Sequence, residues 1–217
     1  MSFYSVAHKC LAGFFRFAYG IKITGRENEP MEGPVLVCAN HLSNHDVIIL
    51  GSSLKRSVRF FAKAELFKVP VVGALVKALG AFPINRGDAV SATATIKFSL
   101  NLLNDGEMVG IYPQGTRHPG VDPRTTEVKG GVGMLAYRSK ATVLPVLIRT
   151  KSWKCGFFRR TWVTIGKPIP FEELGMTAGR GAEYQKAAEL VFSRITDMIP
   201  DSIPAPVPAA SEDSNEH

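Results

Sequence analysis

The chain has 217 residues, 45% of them hydrophobic, so it is long enough to bury the core of one sizeable domain without crosslinks. Its formal net charge is +7, which favours an anionic partner such as lipid headgroups, a phosphorylated substrate or nucleic acid. The cysteines Cys10, Cys38 and Cys155 are widely spaced, which excludes a disulfide framework and a cysteine-based zinc site and predicts reduced thiols in a cytosolic compartment.

The N-terminal residues show helical periodicity. Lys9 and Arg16 interrupt their apolar stretch, so the sequence predicts neither a membrane-spanning helix nor a cleavable secretory signal. The apolar positions recur at steps of three and four residues: Phe3, Val6, Ala7, Cys10, Leu11, Phe14, Phe17 and Ala18. Two interpretations remain open: this face packs on the domain core, or it lies among lipid headgroups with the basic residues near anionic lipid.

Beyond Ile21 the pattern alternates between strands and helices. The predicted strands are Lys22–Thr24, Val35–Ala39, Val58–Ala62, Ala81–Ile84, Met108–Tyr112, Val143–Ile148 and Trp162–Ile165. The predicted helices are Asn44–Leu54, Val72–Leu79, Ala89–Leu103, Gly131–Arg138 and a last one with an apolar stripe from Tyr184 to Met198. This alternation predicts an α/β fold with a mostly parallel or mixed sheet flanked by helices.

The domain boundaries follow from composition. Residues 1–20 form the predicted amphipathic membrane-associating helix, and residues 21–199 form the α/β domain. Residues 200–217 are rich in proline and acidic side chains and contain no lysine or arginine, so we expect this tail to be disordered. Because ligands of open α/β sheets bind outside the carboxyl ends of strands, the residues that follow strands are the candidates for a site.

A histidine and an aspartate follow the predicted strand Val35–Ala39. His41 and Asp46 are five positions apart, and they can meet if His41 lies in the turn and Asp46 in the first turn of the next helix. Ser43 and Asp46 have the spacing of a capping box, which places Ser43 at the N-cap. Taken alone, the motif also fits an Asp46 that only caps a helix beside an ordinary loop histidine.

Later segments make the pattern more specific. Each ends or forms a predicted strand: Phe82-Pro83-Ile84-Asn85-Arg86, Tyr112-Pro113-Gln114-Gly115-Thr116-Arg117, and Val143-Leu144-Pro145-Val146. Together with Asn40-His41 and Asp46, this ordered set resembles the glycerolipid acyltransferase family, closest to the 1-acylglycerol-3-phosphate (lysophosphatidic acid) acyltransferases. That family has N-H-x4-D, F-x-x-x-R, F-P-E-G-T-R and apolar proline-containing blocks in this order. The stretch Ala62–Phe67 is also similar to the family's linker between the first two blocks.

The resemblance implies a reaction and its participants. A fatty acyl chain would move from acyl-CoA or acyl carrier protein to the sn-2 hydroxyl of lysophosphatidic acid, giving phosphatidic acid. The donor is a substrate, so no cofactor is expected, and His41, His45 and Asp46 lack the spacing of a metal site. The lysophospholipid acceptor implies a peripheral enzyme on the cytoplasmic face of the membrane, with the membrane surface as partner.

The chemistry of acyl transfer indicates roles for His41 and Asp46 of the first motif. An imidazole suits the task of taking a hydroxyl proton near neutral pH, so His41 is the expected general base and Asp46 the residue that orients it. His45 is the second candidate for the base, behind His41. Because the substrate supplies the nucleophile, no acyl-enzyme is expected, and capping is the better role for Ser43.

The phosphate of the acceptor requires cations. Arg86 and Arg117 are the expected phosphate ligands, and Lys63 is a further candidate for the phosphate or the oxyanion. Asn40, Gln114, Gly115 and Thr116 complete the predicted site loops. Gly115 would permit close approach of the backbone to a phosphate or oxyanion. Gln114 stands where the family has glutamate, a change that keeps the shape but removes the charge.

Other interpretations remain open. The acceptor could be a different lysolipid, or the chain could be a non-catalytic lipid-binding relative, although the presence of both His41 and Asp46 argues against that. The sequence contains no recognised nucleic-acid motif and no aromatic platform among its basic residues, so we expect no nucleic-acid partner. The run from Phe157 to Arg160 is either a second membrane contact or a hairpin tip without a partner.

Overall fold

The computed structural model of the protein describes residues 12–70, 73, 81–84 and 89–204. A seven-stranded sheet in the order β1-β7-β6-β2-β5-β3-β4 forms its centre. The strands are β1 Ile21–Thr24, β2 Val35–Ala39, β3 Val58–Lys63, β4 Ala81–Ile84, β5 Met108–Ile111, β6 Thr142–Arg149 and β7 Thr161–Ile165. Neighbouring strands are parallel except β6 and β7, which are antiparallel. The prediction of a mostly parallel, mixed sheet is therefore confirmed.

Helices flank the sheet. They are α1 over residues 12–18, α2 Asp46–Ser53, α3 Ala89–Asn104, α4 Gly131–Ser139 and α5 Gly181–Thr196. Short 3-10 turns occupy Arg26–Asn28, Ala64–Lys68, Pro123–Thr125 and Phe171–Leu174. The helix predicted over residues 72–79 falls, apart from Gly73, outside the described residues. The sequence pattern therefore located each of the described helices that follow β1.

The central strand β2 is buried along its whole length. Both α4 and α5 contact it, and α5 does so through the predicted apolar stripe, of which Ala187, Ala188, Val191 and Ile195 are buried. A strand covered on both faces has no polar side to alternate with. This explains why the sequence of β2 is a continuous apolar run, and it fixes the strand that carries the first motif in the middle of the core.

The first described helix is divided between two environments. Ala12, Phe15 and Ala18 of α1 are buried in the core, whereas the side chains of Phe14 and Phe17 are 62% and 83% exposed. At 3.6 residues per turn, the buried residues lie on one side of α1, and Phe14 and Phe17 lie on the adjoining side, which is exposed to solvent. Of the predicted apolar stripe, Ala18 packs on the core and the two phenylalanines do not. The rest of the stripe lies outside the described residues.

The basic residue of α1 contacts the domain. The side chain of Arg16, which only the membrane interpretation places near anionic lipid, donates a hydrogen bond to the carbonyl oxygen of Ser52, in the last turn of α2. Burial lowers the pKa of this guanidinium, with a smaller contribution from the neighbouring charge of Arg26. Arg16 therefore joins α1 to the domain.

The start of the predicted tail is attached to the domain. Ile203 packs against the core, and the carbonyl oxygens of Ile203 and Pro204 accept hydrogen bonds from the Arg124 guanidinium. Arg124 is itself held by Asp122 at 2.7 Å. The expectation of disorder from Pro200 onward thus fails for residues 200–204, and the remainder of the tail lies outside the described residues. Within the described part of the chain, no helix is both long and apolar enough to cross a membrane.

Candidate active site

The motif that contains His41 and Asp46 and the motif Tyr112–Arg117 (the first and third motifs) meet at the carboxyl ends of the strands. β2 and β5 are parallel neighbours, with Cys38 opposite Ile111. The segments that leave their carboxyl ends, from Asn40 and from Tyr112, therefore start side by side. This is the edge where α/β sheets bind their ligands.

His41 and Asp46 are in contact. The Nδ1 atom of His41 lies 2.7 Å from Oδ2 of Asp46, the carboxylate is fully buried, and His41 is 9% exposed. Oδ2 also accepts the backbone N–H groups of Leu42 at 2.6 Å and Ser43 at 2.8 Å. These N–H donors match a carboxylate, which only accepts, and Nδ1 of His41 fits the set as a third donor. The Nε2 atom of His41 is then left as the basic nitrogen.

Ser43 is not the N-cap that the sequence predicts, because that position belongs to His45. Its Oγ atom accepts the N–H of His45 at 3.1 Å and donates to Oδ1 of Asp46 at 3.3 Å, while Asp46 accepts the N–H of Ser43. The helix α2 begins at Asp46 and not at Asn44, because a tight turn with a bond from Asp46 N–H to the Ser43 carbonyl precedes it. The hydroxyl of Ser43 is thus used in orienting this turn.

His45 is held in a packed environment. Its Nδ1 atom lies 2.6 Å from the hydroxyl of Tyr19, and its ring makes an edge contact with Phe157. Burial raises the pKa of Tyr19 to about 12, so this phenol stays neutral and shares a hydrogen bond with the His45 ring. His45 therefore joins α2 to the residues that follow α1.

The loop that contains the third motif, Tyr112–Arg117, holds both the N–H and the carbonyl of the His41 backbone. Oε1 of Gln114 accepts the His41 N–H at 2.6 Å, and the N–H of His118 donates to the His41 carbonyl at 2.9 Å. Gln114 is 2% exposed, and its Nε2 donates to the hydroxyl of Thr126 at 2.7 Å. That hydroxyl donates in turn to the carbonyl of Pro123 at 2.8 Å. The neutral amide fits because one of its neighbours is a donor and the other an acceptor.

Tyr112 was missed by the sequence reasoning. Its ring stacks on that of His41, with centroids 3.9 Å apart and planes inclined by 10°. Its hydroxyl is buried without a hydrogen-bond partner among the described residues, and burial raises the pKa of this phenol. The sequence feature that could have identified it is the tyrosine at the position where the glycerolipid acyltransferase family has phenylalanine. The stacking restricts the imidazole to one plane.

Gly115, the glycine of the third motif, forms the tight turn in that loop. Gly115 has a φ of +70°, which favours glycine, and its N–H donates to the Tyr112 carbonyl at 3.0 Å. Because that amide is used within the loop, the expectation that the Gly115 backbone approaches a phosphate or oxyanion loses its N–H donor. A Cβ atom here would lie 3.2 Å from the Lys129 side chain, which crosses the turn. Lys129 was not predicted from the sequence.

An open pocket of about 460 Å³ lies next to the segment that holds His41 and Asp46. It is lined by residues 42–45, Thr116, Arg117, Pro119 and Cys155. Arg117 is exposed there and donates to Oδ1 of Asn44 at 2.7 Å. Cys155, which the sequence reasoning did not select, hydrogen-bonds to Asp46 and Ser43, and burial is the first cause that raises the pKa of its thiol. The pocket thus brings together a cation, polar groups and the residues that hold Asp46.

The remaining predicted site residues have other positions. Asn40 is fully buried, and its side chain donates to the Ile148 carbonyl at 2.9 Å and accepts the Ile148 N–H at 2.7 Å. It therefore ties the end of β2 to β6 and positions His41 without lining the pocket. Lys63 ends β3, and its side chain lies outside the described part of the structure, as does all of Arg86.

Comparison with known proteins places this arrangement in a family. Residues 20–149 match the family model described as Acyltransferase. Over 153 residues the chain is 31% identical to the 1-acyl-sn-glycerol-3-phosphate acyltransferase of Bacillus subtilis, which covers 69% of this chain and 74% of that protein. Over 131 residues it is 32% identical to the protein of that name from Borreliella burgdorferi, covering 59% of this chain and 52% of the relative.

The fold is also found in a solved structure. The crystal structure of the 1-acyl-sn-glycerophosphate (LPA) acyltransferase PlsC from Thermotoga maritima matches with a TM-score of 0.63. The match covers 90% of this chain and 79% of that one, at 23% identity, and supports the mixed α/β fold. The family model spans more than half of the residues, including both motifs that hold His41. The chain therefore belongs to the acyltransferase family.

Proposed function

We propose that this acyltransferase moves a fatty acyl chain from acyl-CoA or acyl carrier protein to the sn-2 hydroxyl of lysophosphatidic acid, giving phosphatidic acid. The observation that carries the proposal is the 2.7 Å contact between His41 Nδ1 and the buried Asp46 carboxylate, in a loop held by the third motif. The acceptor is inferred from the relatives, which are named 1-acyl-sn-glycerol-3-phosphate acyltransferases.

The arrangement suits attack by a substrate hydroxyl. Nε2 of His41 takes the proton as the alcohol oxygen bonds to the thioester carbonyl carbon, which forms a tetrahedral intermediate. When the carbon–sulfur bond breaks, the imidazolium returns the proton to the leaving sulfur. The Asp46 carboxylate stabilises the imidazolium between these steps, as in a serine hydrolase triad. Ser43 is not the nucleophile, since its hydroxyl is used by Asp46 and His45.

The acceptor's phosphate has a candidate ligand at the pocket. The Arg117 guanidinium is exposed on the pocket wall, and its planar array of donors matches phosphate oxygens. We extend the proposal to Arg86 and Lys63, as further cations of the same subsite. Because Arg117 is hydrogen-bonded only to an uncharged partner, Asn44, in the described residues, its charge is available to a ligand.

A lysolipid acceptor also requires contact with a membrane. We propose that residues 1–20 associate with the cytoplasmic face as a peripheral anchor for the domain over 21–199. The exposure of Phe14 and Phe17 on the side of α1 that faces away from the core supports this assignment.

The test is acceptor-dependent thiol release from a long-chain acyl-CoA, or from acyl carrier protein, with lysophosphatidic acid in mixed micelles. His41→Ala should lower kcat by roughly a thousandfold or more, since it removes the general base and its contacts. His45→Ala is the matched control and should retain most of the activity. If His45→Ala is inactive and His41→Ala is active, the assignment of the base is wrong. If the wild type releases no thiol with either donor or with other lysolipids, the catalytic proposal is wrong and a lipid-binding role replaces it.

The phosphate assignment has its own experiment. Arg117→Ala should raise KM for lysophosphatidic acid while leaving kcat within a fewfold, because it removes binding and not the base. Arg138→Ala, an exposed arginine on α4, is the control. An unchanged KM in Arg117→Ala, with a normal response in the control, would remove Arg117 from the acceptor site.

A further inference from the structure

Four exposed phenylalanines lie on two segments near the candidate site. Phe14 and Phe17 belong to α1, and Phe157 and Phe158, 51% and 87% exposed, lie in the loop between β6 and β7. Single apolar side chains are common on protein surfaces, but clusters of large ones mark interaction sites. We call these four residues the aromatic surface.

The two segments are joined to each other. The N–H of Phe158 donates to the carbonyl of Ala18 at 2.7 Å, and Phe157 stacks on Tyr19 with ring centroids 4.8 Å apart. Directly beyond these contacts, β1 and β7 pair with Ile21 opposite Thr161. The loop and α1 are therefore held in a fixed arrangement by backbone pairing, and the aromatic surface behaves as one unit.

The loop holds Phe158 outward at a conformational cost. Its φ is +58°, in the left-handed region, where a residue other than glycine is disfavoured. The backbone bond to Ala18 holds this conformation, and the ring gains almost no burial in return. A strained backbone that presents a large apolar side chain to solvent is explained if the side chain inserts into a nonaqueous phase.

The charge of the loop indicates which phase. Residues 150–160 contain Lys151, Lys154, Arg159 and Arg160, all exposed, and no acidic residue. None of the four forms a salt bridge within the described residues. Phenylalanine rings with adjacent unpaired cations match the interface of an anionic bilayer, where rings enter the acyl boundary and cations reach phosphates.

The aromatic surface is continuous with the candidate active site. Phe157 contacts His45, the residue before Asp46, and Cys155 of the same loop lines the pocket that contains Arg117. A lipid bound at the surface would therefore have only a short distance to travel to the pocket. This favours a lipid surface over a soluble protein as the occupant.

We propose that Phe157 to Arg160 form a second membrane-binding element, which inserts into an anionic phospholipid surface together with Phe14 and Phe17. The element places the open side of the pocket against the lipid, so that a lysolipid enters from the membrane. This proposal rests on the proposed function for its substrate, but the surface itself is tested independently of activity.

The experiment measures binding of the full chain to vesicles of phosphatidylcholine, with and without phosphatidylglycerol. Phe158→Ser changes the most exposed ring and should weaken the partition coefficient on anionic vesicles by roughly tenfold, given the apolar area that enters the interface. The double change Arg159→Ser with Arg160→Ser should weaken binding by roughly tenfold or more on anionic vesicles and little on neutral ones.

Matched controls lie elsewhere on the fold. Met31→Ser removes an apolar side chain that is 55% exposed, just before β2 and thus at the opposite edge of the sheet from the pocket. Arg138→Ser with Lys186→Ser removes two exposed positive charges from α4 and α5. Both controls should bind anionic vesicles as the wild type does.

Direct insertion has a separate readout. Phe158→Trp should gain fluorescence that lipids with brominated acyl chains quench, whereas Met31→Trp should not. Unchanged vesicle binding in both loop variants, or no quenching at position 158, would overturn the proposal and leave a protein partner or a second copy of the chain as occupant.

Activity in detergent micelles separates this proposal from the proposed function. Loop variants that lose vesicle binding but keep thiol release in micelles support the docking surface with the function intact. Vesicle binding that depends on Phe158, in a protein without thiol release, supports the surface and rejects the function.

Discussion

The backbone N–H of His41 donates a 2.6 Å hydrogen bond to Oε1 of Gln114, a residue 73 positions later in the chain. The His118 amide holds the carbonyl of the same histidine, and both partners belong to the loop that follows β5. The loop thus sets the position of the His41 peptide, while Asp46 sets the orientation of its ring. In the proposed mechanism Gln114 is a positioning residue, because it would act on the reaction only through this peptide.

Gln114→Leu should lower kcat/KM by roughly tenfold to a hundredfold, because the buried His41 N–H loses its acceptor at a cost of about 1 to 3 kcal/mol. The loss should appear mainly in kcat, since Gln114 does not line the pocket. Steady-state kinetics on micellar lysophosphatidic acid provide the measurement. Gln185→Leu, which removes an amide bonded to the Val128 carbonyl, serves as control. Equal activity in Gln114→Leu and the wild type would show that the hydrogen bond from His41 to Gln114 is dispensable.

Gln114→Glu should keep more activity than Gln114→Leu. A carboxylate still accepts the His41 N–H, but it cannot donate to Thr126, whose hydroxyl must then turn away from the Pro123 carbonyl. Steady-state kinetics of the two variants provide the measurement, and a Gln114→Glu variant that is less active than Gln114→Leu would contradict the prediction.

Asn40→Ala should reduce the free energy of unfolding by about 2 to 5 kcal/mol, because the N–H and carbonyl of Ile148 both lose a partner in the buried core. Denaturant unfolding followed by circular dichroism measures this change. Asn101→Ala, on the exposed side of α3, is the control and should change stability by less than about 0.5 kcal/mol. A small effect at Asn40 would mean that the strand end relaxes and recovers these bonds.

Tyr112→Phe should raise the free energy of unfolding by up to about 1 to 3 kcal/mol, because the buried hydroxyl has no partner among the described residues and the stacking on His41 is kept. Tyr137→Phe is the control, since its hydroxyl lies at the surface with a bond to the Thr177 carbonyl at 3.4 Å. Denaturant unfolding distinguishes the two. A destabilised Tyr112→Phe would show that the hydroxyl binds a group beyond the described residues.

Glu183 predicts a pH dependence of stability. Hydrogen bonds from the backbone N–H groups of Ala178, Gly179 and Thr177 lower the pKa of this carboxyl to about 2. In the unfolded chain a glutamate titrates near 4.3, so its contribution to stability is complete above that pH and is lost as the pH falls towards 2. The difference in Tm between the wild type and Glu183→Gln should therefore be largest at neutral pH and vanish near pH 2.

The control for this prediction is Glu173→Gln, the same loss of charge on an exposed turn. Its difference in Tm from the wild type should stay nearly constant over the same range. Thermal unfolding between pH 2 and pH 7 provides both curves. A difference for Glu183→Gln that grows as the pH falls would contradict the assignment.

Much of the fold followed from local patterns in the sequence. Continuous apolar runs identified strands such as β2 and β6, because a strand covered on both faces leaves no polar positions. The strands β1 and β7, which alternate in burial, also lie where the sequence predicted them. The contact between His41 and Asp46 was also predictable, since Asp46 reaches back within one short segment to accept the N–H of Ser43, as the spacing predicts. The helix start was placed two residues early because a turn and a first helical turn share the same capping residues.

Only the tertiary structure decided which distant segments meet. The strand order sets β2 between β5 and β6, and from that follow the bonds of His41 to Gln114, the stacking of Tyr112 and the bonds of Asn40 to Ile148. It also decided that Phe15 and Phe17 of one helix face the core and the solvent, respectively. Periodicity in a sequence reports how a segment repeats along its own axis, whereas neighbours across a sheet depend on order and register, which no local pattern contains.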